Sequence, residues 1–314
     1  MNILLINPGR RDYLVNFFIL LKKKYNLNIF LIDPDKNIPA FKVSTHTKNF
    51  ICPKVKNQKK FFSFIKRFIS KNKIDIIFPI SDRELKILSQ KKNLLMKKGV
   101  NVIVSNLEVI ENCQNKIRCS KYLKKFNILC PKIIARKDIN RFLPVIKKEI
   151  NGSSSENQEI IFKSDQIHKS YHKKFFFQKF LKYQEFNLDI LNDLNGNYLH
   201  SCVKKKLFIR SGDTDKAEIV NNKAFITFAK KLSKALKHVG VIDVDFLYNK
   251  KKFYVLDINP RFGGGYPFTH VYGYNYIECL ISLVLKNKKI KFKIFNRKKN
   301  IFSKGITIYP HGKK

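Results

Sequence analysis

The chain contains no tryptophan, and its 23 aspartates and glutamates stand against 64 lysines and arginines. No apolar run approaches the roughly 18–20 residues that would span a bilayer, which excludes an ordinary transmembrane helix. The opening MNILLINPGRRDY has no basic stretch ahead of its apolar run, so it does not read as a secretory signal. The cysteines (Cys52, Cys113, Cys119, Cys130, Cys202, Cys279) form neither a CxxC pair nor a zinc spacing with histidine. That excludes a zinc module. They read as buried or free thiols of a reducing compartment, and the expected location is cytoplasmic. The first strand-to-helix turn carries one glycine and no GxGxxG, so nothing supports a dinucleotide fingerprint. Internal repeats and low-complexity linkers are absent.

The shortage of acid leaves a formal net charge of +41. Such a field suits a nucleic acid or an anionic membrane. The lysines, however, are spread along the whole length, alongside abundant Asn, Ile and Phe. A coding bias toward A and T produces that composition without selection for binding. No membrane and no specific nucleic acid are therefore expected as partners, and any polyanion binding should be sequence-blind and lost with salt. At 314 residues, 44% hydrophobic and with 28 Phe, the chain can fill two or three packed lobes.

Three of the 23 acids, Asp243, Asp245 and Asp257, fall in residues 241–266, VIDVDFLYNKKKFYVLDINPRFGGGY. This stretch reads as two strands joined by a lysine-rich turn. Side chains alternate faces along a strand, so Asp257 and Asn259 point the same way. If Asn249 pairs with Phe253, Asp245 lies opposite Asp257. A slip of one residue would turn Asp245 to the other face. In the first register two carboxylates and an amide oxygen meet, a hard-oxygen set suited to Mg²⁺. Arg261 follows with the fork geometry for a phosphate.

The remaining chain reads as scaffold with binding edges. Residues 2–7 form a buried strand, 13–24 a helix that Asp12 can cap, and 28–32 a second strand. That is the opening of an open α/β sheet. A basic amphipathic helix spans 61–71, and further strands span 74–79 and 100–104. Ser81 or Asp82 caps the next helix, with Glu84 in its first turn. Ligands sit at the carboxyl ends of strands in such sheets, so Asp82 and Glu84 are also substrate candidates. Helix is expected over 108–126, and strands over 142–147, 159–164 and 174–181. A turn follows at 192–197, a strand over 200–210 and a polar loop at 211–216. A helix over 221–239 ends at Gly240. An apolar helix over 276–285 should pack on the hairpin's back. The basic tail from 290 carries a strand near 306–309.

Taken in order, these motifs resemble the ATP-grasp enzymes, closest to their carbamoyl-phosphate-synthase-like branch. DINPRFGGG after a strand bearing Asp245 resembles the family's metal-binding hairpin, and NPGRRDYLV and NKIRCSKYLKKFNILCP resemble earlier family segments. The resemblance implies an N-terminal open parallel α/β lobe (1–105), then two α+β lobes clamping ATP (106–290, small lobe about 130–177, large lobe about 178–290), then a basic tail (291–314). It implies that Lys116 and Lys147 reach the phosphates, under a flexible loop of Gly152, Ser153, Ser154 and Ser155. The main chain of Gln178, Phe180 and Leu181 would meet adenine, and Glu185 the ribose. Asp245, Asp257 and Asn259 would hold Mg²⁺ (or Mn²⁺), with Asn259 and Arg261 acting catalytically. The strand bearing Arg210 would face the acyl substrate. The implied activity joins a small carboxylate to an amine (or thiol) through an acylphosphate. The family pattern is departed from at Asn115, Lys148 and Lys179, which stand in place of an acid, a proline and an acid. Phosphorylation of bicarbonate, ATP binding without turnover and nucleic-acid binding are the rival readings. A homodimer is left open.

Overall fold

The computed structural model describes residues 1–152, 157–167, 174–210, 212–286, 292 and 300–310. Strands β1 (Asn2–Ile6), β2 (Asn28–Asp33), β3 (Thr47–Ile51), β4 (Ile76–Pro79) and β5 (Asn101–Val102) form a parallel sheet in the order β3-β2-β1-β4-β5. Their apolar runs are continuous because both faces are covered. Helix α1 (Asp12–Leu20) lays Leu14, Val15 and Phe18 on one face, and the short α2 (Lys22–Tyr25) follows it. Helices α3 (Gln58–Asn72) and α4 (Asp82–Met96) cover the other face with Phe61, Ile65, Leu85 and Leu88. Strand β3, unannounced by the sequence, is a largely exposed edge, so its TKNFI lacks the apolar run of its neighbours.

Helices α5 (Leu107–Gln114) and α6 (Lys116–Lys124) replace the single helix expected over 108–126. Asn115 leaves the helical region (φ −116°) and its side chain accepts from Arg118 N at 2.9 Å, capping the second helix. Asp12, expected as a cap, is instead the first residue of α1 and accepts from the Tyr309 hydroxyl at 2.8 Å.

A second sheet is antiparallel: β6 (Ile133–Ile134), β7 (Val145–Glu149), β8 (Glu159–Ile161) and β9 (Phe175–Lys179), in the order β6-β9-β7-β8. The third contains β10 (Gln184–Asn192), β11 (Tyr198–Arg210), β12 (Asp213–Val220), β13 (Gly240–Tyr248), β14 (Phe253–Asn259) and β15 (Ile301–Ser303), in the order β14-β13-β10-β11-β12-β15. Three local expectations shift. Most of the polar loop at 211–216 is already β12, and the tail strand lies at 301–303 on the β12 edge, not at 306–309. Helix α7 (Lys223–Leu236) ends on Lys237 in the left-handed region (φ 47°), so Gly240 begins β13 instead of closing the helix. There a Cβ would come within 2.8 Å of Ile103 Cγ2.

Helix α7 covers the hairpin's back: Phe225, Phe228, Ala229 and Leu232 pack with Ile242, Val244, Phe246 and Ile258. The helix expected in that place, α9 (Tyr276–Val284), follows α8 (Tyr266–Val271) and instead sends Ile277, Leu280 and Ile281 into the core shared with α1 and β1. It is apolar around most of its circumference and so suits the space between the parallel sheet and the large antiparallel one. Among the described residues no helix is long and apolar enough to cross a membrane.

Tyr248, not Asn249, pairs with Phe253, which starts the hairpin in the slipped register. A β-bulge restores the other: Phe246 faces Val255, then Asp245 faces Asp257, with Leu256 as the extra residue. The far side of the sheet is tied to α8 by a fully buried pair. Lys204 Nζ donates to Asp189 Oδ2 with neither side chain exposed, and Thr269 donates to the same oxygen. Breaking such a pair strands a charge, so Lys204→Ala should destabilise the fold by about 3–5 kcal/mol in urea unfolding, while Lys204→Met combined with Asp189→Leu should recover most of the loss. A loss under about 1 kcal/mol for the single variant would show that the pair is dispensable.

Candidate active site

The strand period of two puts a row of polar groups on the face of the third sheet opposite α7. Lys204, Asn187, Asp245 and Asp257 stand in line across β11, β10, β13 and β14; Cys202, Asp189, Asp243 and Asn259 form the next line. Their bonds are dense. Asn187 Nδ2 donates to Asp243 Oδ1 (2.6 Å) and Asp245 Oδ1 (2.9 Å), and Asn259 Nδ2 to Asp243 Oδ2 (3.2 Å). Lys206 Nζ bridges Asp245 Oδ1 (2.8 Å) and Glu185 Oε1 (2.6 Å), and Lys116 Nζ meets Asp257 Oδ1 at 2.6 Å.

Burial alone would push the Asp245 carboxyl up, but Lys206 and the Asn187 hydrogen bond bring it below the usual range. Asp243 goes the other way, to about 6, through burial first and then the adjacent Asp245 and Asp189. Arg261 donates through Nε and Nη2 to Asp82 Oδ2 (3.2 and 2.8 Å) and through Nη1 to the Phe262 carbonyl (3.0 Å). It therefore joins the large sheet to the N-terminal end of α4.

The glycine triplet is required by close approach. A Cβ on Gly263 would sit 2.1 Å from Asp243 Cγ, one on Gly264 2.2 Å from Asp213 Oδ1, and one on Gly265 2.2 Å from Asn187 Oδ1. Backbone without side chains lets three polar side chains pack directly against this turn.

Asp245, Asp257 and Asn259 thus share one face, as the hairpin reading expects. Lys116 and Lys206 each engage one carboxylate, and the Asn259 amide, donating its nitrogen to Asp243, has its oxygen left as a donor to metal. Among the described residues no three His, Cys, Asp or Glu side chains are grouped to hold a metal ion. A cation here would need the amide oxygen as well, and two carboxylates with an amide fit Mg²⁺ or Mn²⁺.

The two lysines of β7 part company. Lys147 lies beside Val145 on the small-lobe core side, where Nζ meets Glu159 at 2.7 Å. Lys148 projects from the opposite side, 4% exposed, and forms no hydrogen bond or ion pair among the described residues. Burial lowers it to about 8, against the pull of Asp257, Glu185 and Asp245. Alternation within PVIKKE was the available signal that only one of the two lysines shares that side. Gly152 packs on Glu149, and Ser153, Ser154 and Ser155 lie outside the described residues. Gln178 is buried, with Nε2 to the Pro131 carbonyl at 3.3 Å and Oε1 unpaired. Phe180 N donates to the Pro144 carbonyl (3.2 Å), and the Leu181 carbonyl accepts from Tyr183 N (3.0 Å). Arg210 pairs with Asp215 (3.0 Å) at the exposed end of β11. Asn187, Asp243 and Lys206 were not foreseen as site residues; the alternation 243-245 carried a signal for Asp243, whereas Asn187 and Lys206 depend on β10 and β11 lying beside β13.

Two family models match. A PylC-like, N-terminal domain matches residues 3–103, and an ATP-grasp domain matches residues 113–265. The carbamoyl phosphate synthase large chain of Thermoanaerobacter sp. (strain X514) is 25% identical over 222 residues, which are 63% of this chain and 21% of that one, so the chain spans about a fifth of that relative's length. Among solved structures, an ADP complex of N5-carboxyaminoimidazole ribonucleotide synthetase aligns with TM-score 0.73 and 14% identity, over 93% of this chain and 79% of the other. Biotin carboxylase from Campylobacter jejuni, as a beta-gamma-ATP complex, gives TM-score 0.73 and 15% identity, over 93% and 73%. At these identities the likeness is one of fold. The chain carries an ATP-grasp domain over residues 113–265, behind a PylC-like N-terminal domain. In sequence it is similar to the carbamoyl phosphate synthase large chain.

Glu84 lies apart from this face. Its carboxyl is buried beneath Asn7 Nδ2 (2.7 Å), Ile80 N (2.9 Å) and Ser81 N (2.7 Å), and it completes the capping box of α4. Burial pushes it up to about 8, opposed by those donors. The unfolded chain ionises it near 4.5, so between 4.5 and about 8 folding takes up a proton. The stability it contributes is full at low pH and is lost as pH rises through that window. Glu84→Gln should be accepted, because Asn7 can turn its unpaired Oδ1 toward the new amide. Its urea midpoint should then vary less between pH 5 and 8 than that of the parent. Parallel profiles would contradict the assignment.

Proposed function

We propose that this chain is an ATP-dependent ligase joining a small carboxylate to an amine (or thiol), with Mg²⁺ or Mn²⁺. One observation carries the reading: Asp245 and Asp257 lie in register across β13–β14, with Asn259 beside them and Lys116, Lys148 and Lys206 converging on the carboxylates. Three cations around two carboxylates and an amide oxygen match a polyphosphate bound with a divalent metal. The ATP-grasp domain over residues 113–265 supports ATP as that polyphosphate. The lobes are proposed to divide at about 105, 177 and 290.

In the proposed reaction a carboxylate oxygen attacks the γ-phosphorus in line, ADP leaves, and an acylphosphate forms. The amine then attacks the acyl carbon and phosphate departs. When bound, the metal would offset charge on the phosphate oxygens. Arg261, fixed by Asp82, supplies a second positive group next to the hairpin's metal face. The Asp243 carboxylate holds the Asn259 and Asn187 amides in one orientation, so the site requires little reorganisation when phosphate enters. Lys148, buried and without an ion pair among the described residues, is the lysine assigned to the phosphates, and Lys147 is assigned to the small-lobe fold.

The two lysines make the test. Lys148→Ala should weaken Mg-ATP binding by about 1.5–3 kcal/mol, the scale for removing a charged hydrogen-bond donor, and Lys147→Ala by less than about 0.5 kcal/mol. ADP release with mixtures of carboxylates and amines should fall in parallel. A larger loss for Lys147→Ala would overturn the assignment, and no ADP from any mixture would overturn the ligase reading.

A further inference from the structure

The sheet order β3-β2-β1-β4-β5 makes the β1/β4 boundary the topological switch point, where a crevice opens beyond the carboxyl ends of the strands. Two turns line it: Asn7, Pro8, Gly9 and Arg11 after β1, and Ile80, Ser81 and Asp82 after β4. The large sheet closes it from the other side through Arg261, held on Asp82.

Two donor groups in this crevice have no acidic partner among the described residues. Arg11 donates through Nη1 to the Ile80 carbonyl and forms no ion pair among the described residues. The Tyr13 hydroxyl, one residue into α1, forms no hydrogen bond among them either. The two are neighbours: the charges that act on Tyr13 come from Arg11, Asp213, Arg261 and Asp243, and burial raises its phenol to about 12, keeping it an O–H donor. Arg261 is close enough to Arg11 to lower it, after burial. Arg261 is ion-paired, to Asp82 at 2.8 Å and more loosely to Asp243 at 3.9 Å; Arg11 forms no ion pair among the described residues. Asp82 acts on both guanidiniums, and it pairs with Arg261 alone among the described residues.

We propose that Arg11 and Tyr13 form a receptor for the carboxylate of the second substrate, a small organic acid bound in the switch-point crevice. A planar carboxylate presents two oxygens to the guanidinium fork and accepts the phenol O–H on a remaining lone pair. The carboxylates Asp82, Asp213 and Asp243 at the same crevice disfavour a doubly charged phosphate more than a singly charged acid. The crevice opens beside Arg261, two residues past Asn259, so a carboxylate held there lies at the end of the metal face. The role in catalysis rests on the ligase reading; the binding itself does not.

The test is ligand-observed NMR titration of acetate against the full chain without nucleotide, with inorganic phosphate and methylamine as comparison probes. Salt near 0.15 M limits the diffuse attraction of a chain this basic. Acetate should bind the parent, about tenfold more weakly to Arg11→Ala, and about threefold more weakly to Tyr13→Phe, as expected for losing a charged and a neutral donor. Arg11→Lys can keep a bond to the Ile80 carbonyl and so preserve the fold, yet should lose most of the affinity because a point charge cannot replace the fork. Mg-ATP affinity should stay unchanged in all three. Equal acetate binding by the parent and Arg11→Lys, a preference for phosphate, or equal binding of methylamine would overturn the proposal. If acetate binding depends on Arg11 while Mg-ATP does not bind, the receptor stands and the ligase reading falls.

Discussion

Leu256 has no partner between the Phe246–Val255 and Asp245–Asp257 pairs. That extra residue moves the chain one step along, so Val255 and Ile258 both reach the core under α7 while Asp257 and Asn259 turn to the opposite face. Without it Asp257 would stand opposite Val244, among Phe228 and Phe246, where an unpaired carboxylate costs several kcal/mol. The hairpin turn alone specifies the wrong register; the apolar requirement on one face and the polar one on the other impose the bulge.

Once the acids face the same way, the site is a problem of charge compensation. Asp245 and Asp257 each receive a lysine from outside their own hairpin, Lys206 from β11 and Lys116 from α6, and Arg261 takes Asp82 from the N-terminal region. Each pairing therefore also fixes how two parts of the fold meet. Asp243 lies beneath them and fixes two amides at once. The glycines at 263–265 allow Asp243, Asp213 and Asn187 to crowd one turn. Lys148 faces these acids without an ion pair among the described residues, which makes it informative.

The parallel sheet and the hairpin were legible because they rest on local patterns: continuous apolar runs, period-two alternation and an N-cap with an acid in the first helical turn. The Asp245–Asp257 pairing was foreseen from a register that the turn does not adopt, and it holds because the bulge corrects the slip. What escaped was set by distant contacts. Lys206 and Asn187 became site residues only when β10 and β11 were laid beside β13. The choice between Lys147 and Lys148 turned on which side of β7 meets the small-lobe core. Helix α9 went to the inter-sheet core because α7 already occupied the hairpin's back, a competition that neither segment announces alone.

The central claim is that the Asp245, Asp257 and Asn259 face binds a metal nucleotide. Calorimetric titration of ATP with and without Mg²⁺, on the parent and on the Asp257→Asn, Asn259→Ala double variant, tests it most directly. The parent should bind ATP at least about tenfold more tightly with Mg²⁺, and the double variant, at an unchanged thermal midpoint, should show no Mg²⁺ effect. ATP affinity that is indifferent to Mg²⁺ in the parent, or a Mg²⁺ effect retained in the double variant, would contradict the account.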